Sequence, residues 1–444
     1  ASKEWMDTRT ENLEPYKEMC SRMTPDICSS LTGIPIETLE AAARMYATSS
    51  AAMSVHGLGM TEHSHGSEGV MALSSLALLT GNVGRPGTGI NPLRGQNNVQ
   101  GSCDMGALPN VYTNYQAVDN KENRSAFSEV WQVETPVNPG LTYPEMLQTV
   151  GDQDGVRSLY MIGSDIAHTD PDNLAVQKAM AKLDLLIVQD IFFCESAKLA
   201  HVVLPAASFL ESDGTYTNGE RRVQRIRKAI DSPGHAKEDW RIVAELAEKM
   251  GFDILAGPTP ADIWAEISSL TPNFRGIDYE RLESAEGVQW PAPNKEHQGT
   301  MVMHQKEFSR GLGNFTAPEF IEPNEKASSE YPFILITGRN LFHYNAGTQT
   351  RRSSLVEFRE TDYLEIHQED AEKLGIDNGE EVWLTSPRHR IKMVAKLGQA
   401  VRKGNLFTTF HFPEIGLNSV LSASADGYTH CPEYKVQAVS IEKV

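Results

Sequence analysis

Apolar positions along the chain change period several times, and each change predicts a different kind of element. Residues 12 to 50 read as helices. In PIETLEAAARMYATS, Leu39, Ala42, Ala43 and Tyr46 fall on one helical face, and Pro35 stands near the start, where a missing N–H costs nothing. AAMSVHGLGM is an apolar run ended by glycines and reads as a buried strand. A helix follows from about Ser67 to Leu79, carrying Val70, Leu73, Leu76, Ala77, Leu78 and Leu79. Strand, glycine-containing turn and helix predict an α/β unit whose ligand edge lies at the strand's carboxyl end. From Tyr112 to about Val150 the pattern weakens, predicting loop with short helices. VRSLYMIGSD, NLAVQKAMAKL, DLLIVQD and AHVVLPA then read as strand, helix, strand and strand, a βαβαβ series for a parallel sheet.

ESDGTYTNGERRVQRIRKAI predicts a hairpin with a basic strand carrying Arg221, Arg222 and Arg225. KEDWRIVAELAEKMG and PADIWAEISSL predict amphipathic helices with Trp240, Ile242, Val243, Leu246, Ile263 and Ile267 on buried faces. Residues 271–330, rich in Pro and Glu, read as a linker. The last 115 residues change character: FILITGRN, YLEIHQEDA, EVWLTSP, RIKMVAKLG, NLFTTF and VQAVSIEKV are short β-rich runs with turns between them and predict a closed β-barrel of mixed connectivity. The fold class expected is therefore α/β, with Rossmann-like parallel-sheet domains and a C-terminal closed β-barrel. The expected partition is 1–96 with 238–300, then 97–208, a small β segment 209–237, and the barrel 325–444.

A chain of 444 residues is too long for one core and suggests several domains. Forty basic against 59 acidic residues give a net charge of −19, which argues against a nucleic-acid or anionic-membrane partner. Anionic ligands would need local Arg and Lys clusters. The five cysteines, Cys20, Cys28, Cys103, Cys194 and Cys431, have no CxxC or CxH spacing. They read as free thiols of a cytoplasmic protein and provide no local iron–sulfur motif. No apolar run reaches membrane-spanning length and no signal peptide is evident; the opening residues resemble mid-domain sequence, which suggests a split or truncated subunit.

Chemistry concentrates in LLTGNVGRPGTGINPLRGQNNVQGSCDMGALP, residues 78–109. Seven glycines stand among Asn82, Asn91, Gln96, Asn97, Asn98 and Gln100, with Arg85 and Arg94. Such a backbone comes close to a large polar ligand and offers it N–H, C=O and amide groups. The arginines suggest an anion, because the guanidinium fork matches carboxylate or phosphate. His63 and His65 in TEHSHG alternate as strand neighbours would, yet two histidines without a third ligand are weak evidence of a metal, and no metal ligand is assigned. Asp165 and Asp190 each follow a strand, where an acid either caps a helix or meets a ribose or guanine edge. With no GxGxxG, an ordinary NAD site is disfavoured.

The run GNVGRPGTGINPLRGQNNVQGSCDMG resembles the cofactor and substrate segment of molybdenum- or tungsten-dependent formate dehydrogenases, members of the molybdopterin oxidoreductase (DMSO reductase) family. The resemblance covers nearly all of the chain but only the later part of the family's catalytic subunit. Nothing matches the opening CxxCxxxC segment, or the selenocysteine or cysteine followed by histidine at the metal. It implies a Mo or W bis-molybdopterin guanine dinucleotide, with a [4Fe-4S] cluster only in the missing part. Leu58, Gly59 and Glu62 would lie near a pterin or the substrate, Glu62 standing where the family usually has glutamine. Gly163, Asp165, Thr169, Gln189, Asp190 and Ser208 would form one guanine dinucleotide site. In the barrel, Arg339, His343, Asn345, Asn418 and Lys435 would meet pyrophosphate, pterin or ribose. Arg94 would hold formate by both oxygens, with Gln96 beside it, in the reversible oxidation of formate to carbon dioxide. Implied partners are the N-terminal half, or a companion subunit carrying it, and an electron-transfer subunit. A nitrate reductase-like enzyme is disfavoured by Arg94, and a non-catalytic scaffold by the intact Arg94, Gln96 and Asn98.

Overall fold

A computed structural model describes residues 1–252, 259–284 and 286–444. The chain divides into two compact units: 1–94 with 300–324 and 424–433, and 95–299 with 325–423 and 434–444. Residues 238–299 thus fall in the second unit, whereas the sequence reading groups 238–300 with 1–96.

In the first unit the strand Met53–His56 pairs in parallel with Gly89–Pro92, and the helix Gly66–Thr80 connects them. That helix ends because Gly81 takes a left-handed φ of 70°, which lets its N–H reach back to the carbonyls of Ala77 and Leu78. Tyr16, Leu78 and Phe315 form the core, with Trp5, Leu13 and Phe308 packed against it. The expected buried strand is not buried: Met53 and Val55 are 45% and 54% exposed, because only one strand pairs beside it. The helix Ile36–Thr48 likewise buries no residue, and its Ala42 and Ala43 are exposed. His63 and His65 lie in the turn before the helix Gly66–Thr80, not on a strand.

Among its described residues the second unit contains three sheets. Ser158–Ile162, Leu185–Asp190 and Val202–Pro205 pair in parallel in that order, joined by the helices Asn173–Met180 and Glu195–Leu199. Their register sets Ile162 beside Gln189 and Asp190 beside Pro205, which aligns the carboxyl ends into one edge. Leu186 and Val188 are fully buried among Met161, Val176 and Met180, and each such side chain contributes roughly 1.5–3 kcal/mol. Gly214–Thr217 and Arg222–Ile226 form the expected hairpin, extended by Val288–Gln289. The linker reading of 271–330 fails at its start. Phe274, Ile277, Leu282, Trp290 and Ala292 build a core with Trp264 and Val223, an aromatic cluster assembled from residues too irregularly spaced to show a period. On the helix Asp239–Lys249, Ile242 and Ala247 are buried, but Val243 is 41% exposed.

The six C-terminal strands close a barrel in the order Phe333–Gly338, Asn405–Thr409, Tyr363–His367, Arg390–Gly398, Glu381–Thr385, Gln437–Lys443. Two pairings are parallel, 333–338 with 405–409 and 363–367 with 390–398; the rest are antiparallel. Alternation places Leu335, Leu364, Ile366, Val382, Leu384 and Leu406 inside with no exposed surface. Among the described residues, no helix is long and apolar enough to cross a membrane.

Candidate functional site

The first unit holds Leu58, Gly59, Glu62 and Arg94. Leu58 opens a one-turn helix, Leu58–Thr61, and Glu62 stands at its end. Gly59 has open space where a side chain would be. His63 Nε2 donates to the Gly59 carbonyl at 3.0 Å, and Nδ1 stands 2.9 Å from a Glu433 carboxylate oxygen. Both ring nitrogens therefore face oxygen atoms. Burial pushes the Glu433 carboxyl up, but hydrogen bonds from His63 and Ser64 outweigh it and leave it below its ordinary range. His63 is thus an ion-pair partner, and among the described residues no cluster of His, Cys, Asp and Glu could hold a metal. Arg94, half-buried, follows the strand Gly89–Pro92.

The second unit begins with Gly95 and fixes the carboxamide run that follows. The Tyr344 hydroxyl donates to the Gly95 carbonyl at 3.2 Å and accepts the Asn97 N–H at 2.9 Å. Asn98, at a left-handed φ of 60°, accepts the Thr217 N–H through its side-chain oxygen at 2.9 Å. A Cβ on Gly101 would lie 2.1 Å from that same oxygen, so any other residue there would push the Asn98 carboxamide off Thr217. The exposed Gln96 carboxamide projects from this clamped turn with no protein partner among the described residues.

At the edge of the parallel sheet the residues singled out divide by role. Asp165 accepts the backbone N–H groups of Ser196 at 2.7 Å and Glu195 at 3.3 Å, and so caps the helix Glu195–Leu199. Gln189 is fully buried; its carbonyl oxygen accepts the Tyr160 hydroxyl and its amide donates to Asp239. Asp190 accepts the Phe192 N–H at 2.8 Å, and burial pushes its carboxyl up. Gly163, at a φ of 62°, has open space beside its Cα. Thr169 donates to the Asp165 carbonyl, and its own carbonyl accepts Asn418 Nδ2 and the Tyr434 hydroxyl. Ser208 donates its N–H to Glu211 at 2.9 Å. Thr169 and Asn418 thereby join sheet edge and barrel, a contact that local sequence could not show.

The barrel rim gathers four arginines. Arg339, Arg351, Arg352 and Arg359 all come from residues 339–359; of these only Arg351 makes a carboxylate ion pair among the described residues, with Glu414 at 3.6 Å, while Arg359 lies near enough to the buried Asp362 to act on its carboxyl. Arg339 donates to Asn345 Oδ1 at 3.1 Å, and Arg352 lies over the Phe192 ring at 4.6 Å, at the sheet's carboxyl edge. Lys435 donates to the Thr337 carbonyl. His343 is buried; its Nε2 faces the Arg359 carbonyl at 2.8 Å and must carry the proton. His411 Nδ1 must donate to the Asn345 carbonyl at 2.7 Å. Positive charge gathered this way in a chain of net −19 suits a polyanion. Buried side-chain atoms left without a protein partner at the sheet–barrel contact, Asn173 Oδ1, Asn418 Oδ1 and Ser419 Oγ, also fit a polar ligand there. These residues fit a pyrophosphate-bearing dinucleotide. Tyr344, His411, Arg351, Arg352 and Arg359 were missed by sequence reasoning, although the arginine pair in TGRNLFHYNAGTQTRRS was a visible signal.

Two buried groups here titrate in opposite senses. Burial lowers His411 from 6.5 to about 4 and raises Asp170 from 3.8 to about 6. Between about pH 4 and 6.5 the unfolded chain binds the extra proton at His411, so its contribution is lost as pH falls. Between about 3.8 and 6 the folded chain binds the extra proton at Asp170, so its contribution is lost as pH rises. Each amounts to about 3 kcal/mol, and they oppose. His411→Gln is therefore expected to gain stability relative to the parent on acidification from pH 6 to 4, and Asp170→Asn to lose it. Urea unfolding across that range checks both; variants that both track the parent would refute the assignment.

A family profile described as Molybdopterin oxidoreductase matches residues 7–249, more than half of the chain. The chain belongs to the molybdopterin oxidoreductase family. A second profile, the molydopterin dinucleotide binding domain, matches residues 333–438, the barrel with its arginine-rich rim. Among curated relatives in the family, the chain is 44% identical over 446 residues to the F420-dependent formate dehydrogenase subunit alpha of Methanocaldococcus jannaschii, covering 100% of this chain and 66% of that one. It is 36% identical over 449 residues to formate dehydrogenase H of Escherichia coli, covering 100% and 62%. The chain thus spans slightly less than two thirds of these relatives' length. Acetylene hydratase from Pelobacter acetylenicus superposes with a TM-score of 0.73 at 17% identity, over 100% of this chain and 68% of that one, which shows the shared fold.

Proposed function

We propose that this chain is the later portion of a formate dehydrogenase catalytic subunit, oxidising formate reversibly to carbon dioxide. The observation that carries the reading is the identity to proteins named formate dehydrogenase, 44% and 36% over the whole chain, through a segment bearing Arg94 and Gln96. Acetylene hydratase has the same fold and a different name, so the fold alone does not choose the reaction.

The cofactor in this reading is a Mo or W bis-molybdopterin guanine dinucleotide, which supplies a two-electron acceptor when bound. Arg339 and Arg352 would meet pyrophosphate oxygens, with Lys435 near them; His343 and Asn345 hold the rim in shape. Gly163, Thr169, Asp190, Ser208 and Asn418 would line the nucleoside end, while Asp165 and Gln189 brace that edge. Leu58, Gly59 and Glu62 would lie near a pterin. Formate loses its C–H bond, giving carbon dioxide, one proton and two electrons. Arg94 binds both carboxylate oxygens and so fixes the direction of the C–H bond, and the Gln96 carboxamide donates to one of them. The remaining third of a relative-length protein carries the [4Fe-4S] cluster and the metal's amino-acid ligand, and a cytoplasmic electron-transfer subunit takes the electrons.

The test uses the full-length protein, produced with molybdate or tungstate under anaerobic conditions. Formate should reduce a viologen dye in proportion to metal content, with one carbon dioxide formed per two electrons. Metal-loaded protein that ignores formate but is reoxidised by nitrate would overturn the proposal.

A further inference from the structure

We propose that Asp104 is a positioning residue for the substrate turn: its carboxylate anchors the helix Val99–Asp104 from behind, and so holds the turn Gly95–Asn98 that presents Gln96. The proposal rests on the reading of Gln96 as a formate contact.

The helix is six residues long. A helix this short has little stability of its own, so its place must be set by neighbours. Asp104 closes it with no exposed surface. An acid at a helix carboxyl end meets the negative end of the helix dipole, which does not help the helix; its buried charge is balanced by the nearby Arg221 guanidinium. What the carboxylate provides is two acceptors in fixed directions. One oxygen takes the Trp290 indole N–H at 2.7 Å, and the other takes the Gln100 amide at 2.7 Å. Gln100 also donates to the Tyr115 hydroxyl at 3.3 Å. Burial, followed by the Asp104 charge, pushes that hydroxyl up to about 12, which keeps it neutral.

Trp290 is itself held. Its backbone N–H donates to the Arg221 carbonyl at 3.1 Å, and Arg221 turns back to donate to the Trp290 carbonyl, its guanidinium 5.4 Å from the indole ring centre. Trp290 belongs to the aromatic core with Trp264 and Phe274. A continuous chain of contacts therefore runs from that core through Asp104 to the helix. At the helix's other end, Asn98 is bonded to Thr217, and Tyr344 clamps Gly95 and Asn97. With three anchors the turn is over-determined; without Asp104 its rear support is lost.

The experiment compares Asp104→Asn, Trp290→Phe and Gln96→Ala in the full-length holoenzyme. Asparagine keeps the shape but offers one acceptor where two are needed. Phenylalanine keeps an aromatic side chain, smaller than the indole, and removes the N–H donor, so it breaks the same bond from the other partner if Asp104→Asn does not fold. Both are expected to raise the KM for formate about tenfold while changing kcat less than threefold, with metal content unchanged. Hydrogen exchange of peptides spanning 95–104 should quicken at least tenfold, while barrel peptides stay at parent rates. Parent-like exchange in 95–104 in both variants, or faster exchange with an unchanged KM while Gln96→Ala still raises it, would overturn the inference. An unchanged KM in Gln96→Ala would instead overturn the formate-site reading.

Discussion

Arg94→Lys in the complete enzyme is expected to lower formate turnover by about two orders of magnitude, roughly 3 kcal/mol of barrier. The argument starts from what formate lacks. It has no side chain, so nearly all positional information must come through its two oxygens. A guanidinium fork takes both at once and thereby fixes where the C–H bond points. Lysine supplies the same charge from a single point and leaves that direction free. Arg94→Ala should lose more, and azide and other small inhibitory anions should bind it more weakly. Metal and pterin content should stay near the parent's in both, because the arginine-rich rim belongs to the barrel and not to Arg94. Turnover equal to the parent's in Arg94→Lys at matched metal content would make the arginine structural and refute the substrate assignment.

The second large effect is expected at the rim. Arg339 and Arg352 make no carboxylate ion pair among the described residues; one is tied to Asn345, the other stacked on Phe192. Their charge is thus available to a phosphate. Each charge-assisted bond contributes roughly 1.5–3 kcal/mol. The double substitution Arg339→Ala with Arg352→Ala should therefore weaken dinucleotide binding at least a hundredfold. The fold should survive, since neither side chain belongs to the barrel core, whose apolar residues are untouched. Metal and released guanine nucleotide per chain after gel filtration measure the loss; full occupancy with an unchanged melting profile would show that the phosphates sit elsewhere.

How much of this was legible in the sequence depended on whether the signal was local. The six barrel strands and the three parallel strands could be read because their side-chain period is a property of each segment. Phe274 and Trp290 were hidden because they reach a common core from a stretch dominated by proline and glutamate, and nothing in their spacing announces a shared destination. Met53 and Val55 look like core residues, but burial depends on neighbours that a strand's own composition does not specify. At the site, the Arg94–Gln96 segment stood out by composition, and family resemblance supplied its meaning. Asp165 shows the limit: an acid after a strand reads alike as helix cap or ligand contact, and only the geometry at Ser196 shows the capping role.

The barrel's seam also bears on timing. Gln437–Lys443 is paired with Phe333–Gly338 on one side and Glu381–Thr385 on the other, so it joins the ring's earliest strand to one from its middle. On the ribosome, the arginines of 339–359 emerge long before that joining strand does. A growing chain therefore displays cationic residues on an open, edge-exposed sheet, where a polyanion would meet no defined rim. The rim that would receive the dinucleotide is thus expected to take shape only once the strand Gln437–Lys443 has joined the ring.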